Sequence, residues 1–288
     1  MAIKSFGGPI AAAGATWAAG IGQALAYTGE RYNLPLGVTE ISREVHGLHM
    51  LIFWVCVAIA VVVFGAMFYS VFAHRRSVHP KPADFHESTT VEIIWTTIPF
   101  IILIAMAIPA AGTLLKMEDT RNADLTIKVT GYQWYWGYEY IGEDLAYDGY
   151  MIGSPFTGGD NRMSADVEAQ LIEAGYRKED FLLATDTAVV VPVGKTVVMQ
   201  VTGADVIHSW TIPAFGVKQD AVPGRLAEPW FTAEKEGVYF GQCSELCGLA
   251  HAYMPITVKV VSEATYDAWL EASKNEGGYV DVRTLLTN

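Results

Sequence analysis

Two long apolar stretches set the plan of this 288-residue chain. Leu48–Phe72 runs for about 25 residues without a charge, and Ile93–Leu115 is likewise uncharged, with Pro99 and Pro109 inside it. Each is long enough to cross a bilayer as a helix, and proline is tolerated in such helices where neighbours re-satisfy the backbone. Neither shows the polar stripe of a helix lying on a soluble core. The loop between them, about residues 73–92, holds His74, Arg75, Arg76 and Lys81. Positive residues so close to membrane segments predict a cytoplasmic loop, with both chain ends and everything after residue 117 on the periplasmic side. Thr89-Thr-Val-Glu92 reads as a capping box opening the second helix, with Thr89 as N-cap and Glu92 at the third helical position. Ahead of the hairpin (residues 48–116), Lys4 precedes an Ala/Gly-rich stretch ending Ala24-Leu25-Ala26. That pattern predicts a processed segment over 1–26 and a periplasmic segment over 27–47.

Beyond residue 117 the period changes. Leu125–Thr130 alternates apolar and polar positions, and Ala188–Pro192, Thr196–Thr202, Gly237–Gly241 and Ile256–Val261 are short, β-branched and bounded by turn residues. Such strands predict an all-β sandwich or barrel over 117–262. Residues 142–180, rich in Gly and acids, read as an insertion with a short helix at Ser164–Ala174. Thr265–Lys274 reads as a surface helix in a C-terminal part, 263–288, that ends in a loose tail. In Tyr132–Tyr140, aromatics at every second position predict a strand with Tyr132, Trp134, Trp136, Tyr138 and Tyr140 on one face. His208 is placed at a strand end.

Charge sharpens this division. Residues 1–116 carry 7 basic and 6 acidic residues, and 117–288 carry 12 and 25. An exported domain this acidic disfavours nucleic acid and anionic lipid, and favours a basic protein partner drawn in by long-range attraction.

The chemistry is concentrated in twelve residues, Cys243-Ser-Glu245-Leu-Cys247-Gly-Leu-Ala-His251-Ala-Tyr-Met254, with His208 thirty-five positions upstream of Cys243. Thiolates and imidazoles select copper, zinc or iron–sulfur clusters, and a thioether points to copper. A mononuclear blue-copper site uses one Cys, two His and a weak axial ligand. The surplus thiolate suggests two copper ions sharing sulfur bridges. A disulfide is the alternative, favoured by an oxidising compartment. Against it, the only two Cys and two His beyond residue 117 all fall in this constellation. The ligand set leaves no position for substrate, which suits electron transfer rather than hydrolysis. Cys56, inside the first apolar run, reads as a buried inert thiol.

Four motifs then carry a resemblance: C-S-E-L-C-G-x-x-H-x-x-M, V-x-G-Y-Q-W-Y-W-x-Y-E-Y, D-V-I-H-S-W and K-Q-D-A-V-P-G-R. With the hairpin and the acidic β domain, the chain resembles subunit II of haem–copper cytochrome c oxidases, of the alphaproteobacterial type. The resemblance implies a cupredoxin-like Greek-key barrel holding a dinuclear copper centre, CuA. It implies that Cys243 and Cys247 bridge the coppers and that His208 and His251 bind one each. Met254 is then a weak ligand, as is the backbone carbonyl of Glu245. The Glu245 side chain is implied to bind Mg or Mn shared with subunit I. Trp134 is implied to take electrons from cytochrome c, with Glu139, Asp148, Asp186 and Asp205 as docking acids. Lys218–Arg225 would face subunit I, and Glu92 would lie at the mouth of a proton path into that subunit. The implied whole is the electron-input subunit of a proton-pumping terminal oxidase in the bacterial inner membrane, assembled with subunit I and other subunits. The oxygen-reducing site would lie in subunit I, since this chain has too few histidines to ligate haem and a further copper. Two other readings stand beside it. A membrane-tethered copper carrier would have an open, mononuclear site, and a quinol oxidase subunit would lack the Cys and Met ligands.

Overall fold

The computed structural model describes residues 33, 34 and 36–285. The expected processed segment, 1–26, and the first residues after it lie outside the described residues. The first helix, α1, spans Glu40–Ala73 and starts eight residues before the apolar run. Thr39 is the reason: its Oγ1 accepts from the Ser42 N–H at 3.0 Å, and the Ser42 Oγ accepts from the Thr39 N–H at 3.2 Å. This reciprocal cap satisfies two amides that a helix start leaves without partners. The second helix, α2, spans Thr89–Met117 and contains both prolines. Its N-cap is Ser88, not Thr89, and makes no side-chain cap bond. Glu92 therefore sits one position beyond the register a capping box requires, and its amide donates to the Ser88 carbonyl at 3.0 Å. The expected box does not form.

Both helices are long and apolar enough to cross a membrane. Their large side chains, among them Trp54, Phe64, Trp95 and Leu103, are exposed along most of their length. Cys56 shares this surface and is exposed, against expectation. Among the described residues nothing covers this thiol. At the open end of the hairpin, Lys116 Nζ reaches Glu40 at 2.5 Å and Glu44 at 2.7 Å.

The β domain holds ten strands among the described residues. They are β1 (Leu125–Tyr132), β2 (Tyr135–Tyr140), β3 (Leu145–Gly149), β4 (Val189–Pro192), β5 (Thr196–Gly203), β6 (His208–Ile212), β7 (Val217–Ala221), β8 (Trp230–Thr232), β9 (Gly237–Gln242) and β10 (Pro255–Val261). They form a five-stranded sheet ordered β3-β2-β1-β5-β8, a three-stranded sheet β4-β10-β9 and a β6-β7 ribbon. β1 runs parallel to β5, and β10 parallel to β4. The core lies between them. Ile127, Val129, Trp136, Met199 and Val201 face Val189, Ile256, Val258 and Trp210, all essentially without exposure.

Three expectations change here. The aromatic run is not one strand, because the chain reverses at Gln133–Trp134 and pairs Tyr132 with Tyr135. Only Trp136, Tyr138 and Tyr140 share the buried face. The 142–180 insertion contributes β3 to the sheet edge before its helix α3 (Ala165–Glu173), which Ser164 caps. The C-terminal tail is not loose as far as Leu285. Helix α4 (Glu263–Glu276) buries Trp269, whose Nε1 donates to the Val280 carbonyl at 2.8 Å, and buried Lys259 reaches Asp281 at 3.3 Å.

Candidate metal centre

His208 opens β6, and residues 243–254 form the connection from β9 to β10. The Ser244 amide donates to the Ser209 carbonyl at 3.1 Å, which ties the connection to β6. The His208 ring lies over Gly131 of β1, where a Cβ would stand 2.8 Å from its Cδ2. Only glycine leaves that space.

Within this frame the donors converge. Cys243 Sγ and Cys247 Sγ are 3.8 Å apart. Cys247 Sγ lies 3.4 Å from Met254 Sδ and 3.5 Å from His251 Nδ1. Cys243 Sγ lies 3.3 Å from the Glu245 carbonyl. Ligand atoms of His208, Cys243 and Cys247 all fall within 4.8 Å of one another. A disulfide needs sulfurs about 2.05 Å apart, and both thiols are free. All six expected donors are therefore gathered at one place.

Burial and electrostatics prepare this cluster for a cation. His208 is fully buried, and its Nε2 meets Asp205 Oδ1 at 2.8 Å. Its Nδ1 is buried with no hydrogen-bond partner. A buried polar atom left unpaired costs free energy, and a metal ion would remove that cost. Burial pushes the Cys243 thiol up, but the His208 imidazole and the Ser209 amide outweigh it and leave it below the ordinary thiol range. Cys247 goes the other way, raised by burial and then by the charge of Cys243. The first thiolate forms readily and opposes the second, so a cation between them relieves the opposition. Burial lowers the His208 pKa, but Cys243 and Asp205 raise it further than burial lowers it. A carboxylate on the far ring nitrogen is the usual support for a metal-binding histidine. The soft donor set and the orphaned Nδ1 fit copper.

Trp134 touches the same connection. Its Nε1 donates to the Cys247 carbonyl at 3.2 Å, and Gln133 Nε2 donates to that carbonyl at 2.8 Å. Asp205 accepts from the Gln133 amide at 2.8 Å, so it borders Trp134 as well as holding His208. Tyr150 links two further acids: its hydroxyl donates to Asp148 at 3.1 Å and its amide to Asp186 at 2.8 Å. Tyr150 in turn lies against Tyr135, next to Trp134, with ring centroids 4.7 Å apart and the rings tilted by 31°. Glu139 is instead engaged by Lys128 at 3.2 Å. Glu245 is exposed, although its carbonyl meets the Cys243 sulfur. Glu92 lies at the opposite end of α2 from Lys116, roughly 36 Å along the helix axis. Gly131, Gln133 and the support of Asp205 for His208 were not anticipated. The V-x-G-Y-Q run held the first two, but no local pattern marks a seat for a ring supplied from another strand.

Residues 125–261 match the family model of the cytochrome C oxidase subunit II periplasmic domain, and residues 29–111 match that of its transmembrane domain. The chain belongs to the cytochrome c oxidase subunit II family. Cytochrome c oxidase subunit 2 of Cereibacter sphaeroides is 56% identical over 248 residues, covering 86% of this chain and 81% of that one. A probable cytochrome c oxidase subunit 2 of Rickettsia bellii is 40% identical, covering 83% of this chain and 82% of that one. Among solved structures, the periplasmic domain of subunit II of cytochrome oxidase (CoxB) of Bradyrhizobium japonicum is 45% identical. It covers 55% of this chain and 99% of that one, with a TM-score of 0.45. As in the subunit II family, two membrane-capable helices here precede a cupredoxin-like β domain. The chain is thus a membrane protein and a subunit of a cytochrome c oxidase.

Proposed function

We propose that this chain takes electrons from cytochrome c at a dinuclear copper centre and passes them to haem in subunit I, where O2 is reduced to water with proton pumping. The convergence of two thiols, two imidazoles, a thioether and one carbonyl on a single buried point carries this reading. Cys243 and Cys247 would bridge two coppers, His208 and His251 would bind one each, and Met254 and the Glu245 carbonyl would complete the set. Bound copper supplies a one-electron couple. The chain's own residues hold that couple in a closed, strand-supported cage, so that little rearranges on reduction. Trp134 joins the protein surface to the Cys247 carbonyl and is the residue through which electrons arrive. Asp148, Asp186 and Asp205, with Glu139 further out, attract the basic cytochrome and speed its arrival, most strongly at low salt.

The remaining assignments belong to the same reading. The Glu245 side chain would hold Mg or Mn together with subunit I. Glu92 would stand at the cytoplasmic mouth of a proton path into that subunit. The basic loop at 74–81 orients the hairpin with its loop in the cytoplasm and the β domain in the periplasm. The exposed apolar faces of both helices suit burial against subunit I and the other oxidase subunits. Stopped-flow mixing of reduced cytochrome c with the purified oxidase tests the sequence of events. The copper near-infrared band should bleach before haem is reduced. Haem reduction with no preceding bleach would overturn the proposal.

A further inference from the structure

The β domain does not hang from the hairpin by a free tether. The Val38 N–H donates to the Ala214 carbonyl at 2.8 Å, and the Glu234 N–H donates to the Val38 carbonyl at 3.0 Å. The Thr39 hydroxyl donates to the Phe215 carbonyl at 2.8 Å. Thr39, Ile41 and Ser42 are buried, although they open a helix whose remaining residues are half-buried or exposed. Two glycines make the approach possible. A Cβ on Gly37 would stand 2.2 Å from the Ala214 carbonyl oxygen. Gly216 has a φ of 69°, which favours glycine, and a Cβ there would stand 2.9 Å from the Ser42 Cα. The second helix joins the same seat, because the Trp230 Nε1 donates to the Lys116 carbonyl at 3.2 Å.

The contacts continue from this seat to the metal ligands. Phe215 stacks on Phe231 with centroids 4.5 Å apart, and Phe231 lies 6.4 Å from Trp210, two residues along β6 from His208. Gly241 of β9 is pressed on β6 so closely that a Cβ would stand 1.9 Å from the Thr211 carbonyl oxygen. Two residues beyond Gly241 comes Cys243. Close-packed interiors of this kind compress little and transmit displacement.

We propose that Gly37–Ser42, locked onto Ala214–Gly216, is a rigid seat that fixes the copper centre relative to the membrane hairpin, making Gly37, Thr39 and Gly216 positioning residues for electron exit toward haem. The inference rests on the copper reading above. Electron transfer over a gap depends steeply on distance, and small misplacements from remote changes cost large factors in rate. Electron arrival involves only Trp134 and the docking acids, so a loosened seat should slow exit and spare arrival.

The test uses the assembled oxidase with Gly216→Ala and, to avoid added bulk, Thr39→Ala beside Thr39→Ser. Electrons are injected by flash from a ruthenium-labelled cytochrome c, so that copper reduction and copper-to-haem transfer are timed separately. Amide exchange at Val38 and Glu234 supplies a readout independent of copper. In Gly216→Ala, exit should slow on the order of tenfold, with the copper signal and the arrival rate unchanged. Exchange at Val38 and Glu234 should quicken in step. Thr39→Ala should show a smaller form of both effects, and Thr39→Ser should restore both. Unchanged exit in an oxidase with an intact copper signal would overturn the proposal, as would equal slowing of arrival and exit. If Gly216→Ala does not assemble, the Thr39 pair decides. An absent copper signal in the unaltered oxidase would sink the copper reading instead, and the exchange rates would still show whether the seat is rigid.

Discussion

The two ends of this molecule solve opposite problems. Around His208 and the 243–254 connection, the donor side chains of His208, Cys243, Cys247 and Met254 are buried within the chain itself. Along the hairpin the reverse holds, with Trp54, Phe64, Trp95, Phe100 and Leu103 exposed beyond what a soluble chain would leave uncovered. The β domain contains the reasons for its own structure, whereas the hairpin's lie outside the chain, in the membrane its helices are long and apolar enough to cross. The metal end should therefore respond to single substitutions by losing its own chemistry, and the hairpin by losing its associations.

The largest effect should come from the sulfurs. Cys247→Ser should abolish the paired-copper signal, since one thiolate cannot bridge two ions against their mutual repulsion. Retention of two coppers per chain, measured by metal analysis, would break the contrast. Trp134→Gln should follow, cutting electron arrival by on the order of a hundredfold while leaving cytochrome c affinity within about twofold, because Trp134 is a contact with the ligand connection more than an anchor. Stopped-flow rates across cytochrome concentrations separate the two. Next comes Trp269→Ala, which empties a fully buried site beneath α4 and should cost about 3–5 kcal/mol of β-domain stability, read by denaturant unfolding. Ser262→Ala removes the N-cap of α4 and should cost about 1 kcal/mol. Smallest, Trp95→Ala on the hairpin surface should leave β-domain stability within about 0.5 kcal/mol. Its effect should appear as weaker retention of subunit I during detergent purification. A loss of β-domain stability instead would mean that the hairpin face is packed inward.

Much of this contrast was legible in the residues. Long uncharged runs and β-branched strands report their environment locally, so both helices and five strands stood close to where they were expected. The cluster of candidate donors was legible for the same reason, since four of its side chains and its carbonyl lie within twelve residues. What escaped depended on distant partners. β7 is a polar ribbon strand, Val217–Ala221, held by pairing with β6 rather than by its own pattern. The Tyr132–Tyr140 run alternates like one strand, yet Gln133 and Trp134 are drawn out of the sheet by the Cys247 carbonyl and by Asp205. Asp205 resembled a surface acid, and only the fold places it on the far nitrogen of a buried histidine. The capping box expected at Thr89 was found instead at Thr39, where packing against Phe215 fixes the helix start.

Electron paramagnetic resonance of the purified oxidase, read with copper counted per chain, tests the central claim most directly. Two bridged, electron-sharing coppers predict a seven-line hyperfine pattern that vanishes in Cys247→Ser. A four-line pattern from a single copper, or a copper-free chain with Cys243 and Cys247 joined as a disulfide, would contradict it.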